Sequence, residues 1–201
     1  MNRKEFFQSV ASVGVLAALP AFFAVGCSAS DDAGERAGGA AESQGRRPPQ
    51  FKAKRAITTY TGHLSFSPNI VFPLLCPVRE YQWLEGWQCE MIYSDSGVAE
   101  DNCIFKTAHA GGTFWSVSRY EPPKRIEFTT FVPNAVVTRL NLFLQPAGGG
   151  TDLQWTRIFT GLSEVGNESV GTWNTKVDAE LTRKLEHYLR TGEMLREHSA
   201  G

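Results

Sequence analysis

The chain of 201 residues is 42% hydrophobic and 20% charged, with a formal net charge of −1. That balance lacks the basic excess that nucleic-acid binding leaves on a sequence, so nucleic acid is excluded as a partner. The four histidines (His63, His109, His187, His198) are scattered and no Cys or His pair has zinc-type spacing, so neither a metal nor a cofactor is expected.

The chain opens with a short charged start, Asn2-Arg3-Lys4-Glu5, then an apolar stretch from Val10 to Val25 and small residues ending at Gly26-Cys27. This is the order of an export signal. The apolar stretch, interrupted by Ser12, Gly14 and Pro20, falls below the roughly 18 to 20 residues that a permanent membrane-spanning helix needs. Ala24-Val25-Gly26-Cys27 resembles the lipobox of bacterial lipoproteins, with Ala24 where that family more often has Leu. The resemblance implies cleavage before Cys27 and lipidation of its thiol, which would hold the protein to a membrane. The charged start also resembles the twin-arginine export motif with Lys4 in place of the second arginine, so the export route stays open. From Ser28 to Lys54 almost no large apolar residue occurs before Phe51, and such a stretch reads as a tether because it cannot bury enough surface to offset its ordering entropy. The expected organisation is a signal peptide over 1–26, a lipidated cysteine with its tether over 27–54, and one domain over 55–201.

Within the domain, Ile57 to Phe66 suits a strand. Ser67-Pro68 then opens a short helix with Ile70, Val71, Leu74 and Leu75 at spacings of three and four, and Val78 to Trp87 reads as a second. Six strand signals follow, at 89–93, 103–107, 113–120, 125–132, 136–145 and 153–160, separated by turn-forming sequences such as Ser94-Asp95-Ser96-Gly97 and Pro133-Asn134. Alternation is plain in Leu140, Leu142 and Leu144 against Arg139 and Asn141, so one face of the sheet is buried and the other wetter. After Asn167-Glu168-Ser169, read as a capping segment, Val170, Trp173, Val177, Leu181, Leu185, Tyr188 and Leu189 recur at helical spacing and predict one long helix. Equal offsets from the Ser94–Gly97 turn would set Cys89 opposite Cys103. A disulfide between them and two separate buried thiols both remain open.

This order of elements, together with Phe72-Pro73-Leu74-Leu75-Cys76-Pro77, Trp83-Leu84-Glu85-Gly86-Trp87, Tyr93-Ser94-Asp95-Ser96-Gly97 and Trp115-Ser116-Val117-Ser118-Arg119-Tyr120, resembles bacterial members of the START-like superfamily, also called SRPBCC or polyketide-cyclase-like. The resemblance implies an α+β, helix-grip fold, a curved antiparallel sheet around a long C-terminal helix. It also implies a cavity between sheet and helix that takes a lipid or another hydrophobic small molecule. The aromatic residues Trp83, Trp87, Trp115, Trp155 and Trp173 are candidates for its lining.

Polar residues at inward strand positions are informative because a buried charge is costly unless paired or used. Arg157 shares parity with Leu153, Trp155 and Phe159, and Arg119 with Trp115 and Val117. Both are candidates for gripping a ligand, with Glu90 or Glu80 as counter-ions, although the reading that they turn outward or sit in structural ion pairs is favoured. An enzyme on this cavity would need acid–base groups such as Glu90, Tyr93, Arg119 or His109 converging at one end. No Ser-His-Asp pattern, phosphate loop or catalytic residue can be assigned, so the reading weighs toward a lipid-anchored binding module, with an enzyme or an interaction domain of an envelope complex as alternatives.

Overall fold

The computed structural model describes residues 50–108 and 112–196. The expected signal segment, Cys27, most of the expected tether and His109 lie outside those residues. Seven strands, β1 (Arg55–Leu64), β2 (Cys89–Tyr93), β3 (Ile104–Thr107), β4 (Thr113–Glu121), β5 (Arg125–Val132), β6 (Val136–Ala147) and β7 (Gly150–Gly161), form one antiparallel sheet in the order β1-β7-β6-β5-β4-β3-β2. The helices are α1 (Pro68–Val71), α2 (Glu164–Val170) and α3 (Lys176–Thr191). Two 3₁₀ turns, Phe72–Leu75 and Glu80–Gln82, follow α1.

Alternation sorts the sheet into two faces. Ile126, Phe128 and Thr130 on β5, Leu140, Leu142 and Leu144 on β6, and Leu153, Trp155, Arg157 and Phe159 on β7 are all buried, while their neighbours are half-buried or exposed. The buried face packs against the 3₁₀ segment, which contributes Phe72, Leu74, Leu75, Trp83 and Leu84, and against α3, which contributes Leu185. Burying a large apolar side chain is worth about 1.5–3 kcal/mol, so these residues supply the main cohesion of the domain.

Helix α3 lies along β1 and β7. Its close approach needs Gly62, where an added Cβ would stand 2.6 Å from Thr182 Cγ2. It ends at Gly192, in the left-handed conformation (φ 72°) that glycine adopts without penalty, with Gly192 N–H donating to the Tyr188 carbonyl.

Three expectations are corrected. The long helix does not begin at Val170: α2 stops there, and α3 starts at Lys176 after Gly171–Thr175. Asn167–Ser169 therefore belongs to α2, which is capped by Ser163 accepting from Gly166 N–H, and Asn167 instead ties the incoming chain down by accepting from Lys54 N–H at 2.7 Å. The expected second helix over 78–87 reduces to the 3₁₀ turn Glu80–Gln82, because the backbone leaves helical geometry at Trp83 (φ −127°) and again at Gly86 (φ 65°). Finally, Cys89 pairs with Thr107 and Tyr93 with Ile104, so the β2–β3 connection takes up ten residues, and Cys76, Cys89 and Cys103 are all free thiols.

Candidate ligand-binding site

The concave face of the sheet is the candidate site, and β7 and α3 form its polar wall. Arg157 points inward from β7 as its parity requires and meets the carboxylate of Asp178, Nε to Oδ1 at 2.7 Å, with Asp178 fully buried. One helical turn on, Trp155 Nε1–H donates to Thr182 Oγ1 at 2.8 Å, and that hydroxyl donates to the Asp178 carbonyl. The counter-ion is therefore on the helix, and neither Glu90 nor Glu80 fills that role. Thr58 faces Arg157 across the β1–β7 pair, and Thr58 Oγ1 and Asp178 Oδ2 are buried without a hydrogen-bond partner among the described residues.

Aromatic side chains from β3, β4 and β5 form the apolar wall. Phe105 and Trp115 stack at 6.0 Å between centroids, and Phe128 meets both edge-on. Trp115 keeps its indole N–H on Thr107 Oγ1 at 3.2 Å. Met91, Trp87, Tyr120, Leu181, Tyr188 and Leu189 pack on the same core yet remain only half-buried. Tyr188 reaches from α3 across to the 3₁₀ turn, where its hydroxyl donates to Gln82 Oε1 at 3.1 Å. Helix, turn and sheet thus each leave apolar side chains partly accessible on the same core.

Of the other sequence candidates, Trp87 stays with this core, and Trp83, Trp173, Glu90, Tyr93 and Arg119 do not line the partly open surface. Trp83 is sealed in the core with its N–H on the Leu74 carbonyl, and Trp87 caps the Pro77 carbonyl from a half-buried position. Trp173 stacks on Phe159 at 4.2 Å in a second cluster with Val136 and Val170, under α2 and apart from the main core. Glu90 lies opposite Lys106 on the outer face and Tyr93 is exposed. A β-bulge after Val117 shifts the β4 register, so Arg119 turns out to solvent beside Glu121 and Tyr120 takes the inward position opposite Ile126. Arg119, Glu90 and Tyr93 therefore do not converge on the concave face.

Burial disfavours ionisation of Cys89, Cys103 and Tyr120. Burial pushes the Cys89 thiol up to about 12, reinforced by nearby Glu80 and the other thiols, and burial raises Cys103 and Tyr120 as well. Thiols so shifted are weak nucleophiles at neutral pH. Among the described residues no group of three or more His, Cys, Asp or Glu side chains could hold a metal ion, and no helix is long and apolar enough to cross a membrane. Beyond the concave face, an open groove of about 450 Å³ lies at the end of the sheet near Pro68, Pro123, Phe143 and Pro146.

The fold is the START-like helix-grip fold. A norcoclaurine synthase point mutant from Thalictrum flavum, solved in complex with a transition-state analogue, superposes with a TM-score of 0.57 at 10% identity, covering 71% of this chain and 99% of that one. Ara h 8.0201 gives 0.53 at 13% identity over 69% of this chain and 99% of its own, and protein MLL2253 from Mesorhizobium loti gives 0.52 at 18% over 68% and 98%. No family model matches the sequence, and no curated protein matches it.

Proposed function

We propose that the chain is a cell-envelope lipoprotein, anchored through Cys27, whose START-like domain holds a neutral, largely apolar small molecule or lipid against the concave face of its sheet. The observation that carries this reading is the set of half-buried apolar side chains, Trp115, Tyr120, Met91, Trp87, Leu181 and Tyr188, contributed by sheet, 3₁₀ segment and helix to one core. Apolar side chains left partly uncovered inside a concavity are what a hydrophobic ligand needs. The charge pattern narrows the class: the cations buried alongside, Arg157 and Lys184, already have carboxylate partners in Asp178 and Glu180. A ligand carboxylate or phosphate would have to displace one of those partners, whereas a neutral molecule would not.

Catalysis by this domain is the weaker reading. The norcoclaurine synthase likeness shares a fold with an enzyme, and function belongs to the site more than to the fold. Here Glu90, Tyr93 and Arg119 lie away from the concave face, and the inward Tyr120 and Cys89 keep their protons. The test is titration with a fluorescent apolar probe, comparing the parent chain with Leu181→Arg, a half-buried position where a cation would lie on the apolar patch. Saturable binding lost in the variant supports the reading; equal binding by both, or none by either, contradicts it.

A further inference from the structure

The outer face of the sheet is sorted along its length. At the end where the chain enters the fold, one cross-strand row runs Glu90–Lys106–Phe114, continues through Phe131–Val137–Thr160 and ends at Arg55. Phe114 and Phe131 are the outward neighbours of the paired Trp115 and Thr130. The next row runs Ile104–Ser116–Thr129–Arg139–Ile158–Ile57. Phe114, Phe131 and Ile57 are 53%, 56% and 62% exposed, and Phe51 and Val165 at the same end are exposed too. Lys106 Nζ stands 5.8 Å from the Phe114 ring centroid, and exposed Lys52, Lys54 and Arg55 lead into β1. The acidic residues close by are Glu90 on the β2 edge and Glu164 and Glu168 on α2. Glu127 is bonded to Arg139, and the remaining outer-face acids, Glu121 and Asp152, lie further along the strands.

Large aromatic side chains left on an otherwise polar outer face mark an interaction surface. Its position indicates which one. Twenty-two residues, 28 to 49, separate Cys27 from the described domain, and even fully extended they reach no more than about 80 Å. The chain emerges from them at the end of the sheet that carries Phe114, Phe131 and Ile57. We infer that this end is a bilayer-docking surface, with Phe114 and Phe131 inserted at the headgroup boundary and Lys52, Lys54, Arg55 and Lys106 set against lipid phosphates, so that the domain lies on the membrane in one orientation. Amphipathic surfaces of this kind bind by buried apolar area plus attraction to anionic lipid. The inference goes beyond the ligand reading and needs no cargo; it takes from that reading only the lipid anchor that brings the domain to a membrane.

Because every described element lies in residues 50–196 with its own core, the test uses the chain lacking residues 1–27, which carries no anchor. It is sedimented with vesicles of phosphatidylethanolamine and phosphatidylglycerol. The expected result is measurable partitioning that falls by about tenfold or more in Phe114→Ser/Phe131→Ser, from loss of two half-exposed aromatic side chains. The control Ile70→Ser, which removes a comparably exposed side chain from α1, leaves partitioning unchanged. Circular dichroism confirms that each variant is folded. No partitioning by the parent chain, equal loss in the control, or light scattering that shows the Phe114/Phe131 face joining two copies of the chain would overturn the inference. A failure to bind apolar probes would overturn the ligand reading and leave this one standing.

Discussion

Replacing Asp178 by Ala strands the Arg157 guanidinium in the interior. The carboxylate is fully buried, the guanidinium nearly so, and they meet at 2.7 Å, so neither group has water to fall back on. Removing one partner of such a pair costs about 3–5 kcal/mol, whereas replacing both by well-packed apolar residues is often close to neutral. A domain of this size gains roughly 5–15 kcal/mol on folding, so the single variant gives up a large share of its stability. The melting temperature should fall by about 6–20 °C, at roughly 2–4 °C per kcal/mol for a domain of this length. The double variant Arg157→Met/Asp178→Leu should recover most of that loss. The assay is urea unfolding of the parent, both single variants and the double, read as a thermodynamic cycle. A single-variant cost below about 1 kcal/mol, the median worth of exposed pairs, would refute the claim that the pair is the sealed polar joint between α3 and the sheet.

Two further outcomes follow from the electrostatics. Although burial works against ionisation of Glu186, hydrogen bonds from Ser65 and Arg190 lower its pKa on balance, and hydrogen bonding by Arg183 lowers that of Glu180. Stability from these two carboxylates is present above their ordinary value of 4.5 and is lost as pH falls through their depressed folded values. The urea midpoint should drop between pH 5 and pH 3, and less in Glu186→Gln, which a pH series of unfolding curves will check. The thiols give a separate readout: Cys89 at about 12 and the buried Cys76 and Cys103 should alkylate slowly in the native domain and together after denaturation. Mass spectrometry of the unreduced domain should therefore count three modifications, and one modification would show that two thiols are bonded.

Much of the architecture was legible because the sheet's buried face repeats every second residue: Ile126, Phe128, Leu140, Leu142 and Leu144 placed their strands on the sequence alone. Arg157 was legible for the same reason. Arg119 was not, because the bulge after Val117 adds one residue to β4, which reverses inside and outside without changing the local sequence pattern. Tyr120 takes the inner place as a result. The helix start was misread because Val170, Trp173 and Val177 keep the helical period across the interruption at Gly171–Thr175. Trp173 is held there by stacking on Phe159 and not by a helix. Asp178 carried a usable signal: it lies three and seven residues before Leu181 and Leu185, on the apolar side of the helix, where a carboxylate needs a buried cation. The equal-offset placement of Cys89 and Cys103 failed because the connection between β2 and β3 is longer than a tight turn, stapled by Glu100 accepting from Ser94 Oγ and Asp95 N–H.

Whether the concave face holds a neutral apolar molecule is tested most directly by native mass spectrometry. The chain without its first 27 residues, isolated from its own host, is weighed intact and again after denaturation in the same run. The expected result is one released molecule per chain, uncharged and lipid-like or aromatic. A domain that emerges empty and stays empty when offered a lipid extract, or that releases an anionic ligand in stoichiometric amount, would contradict it.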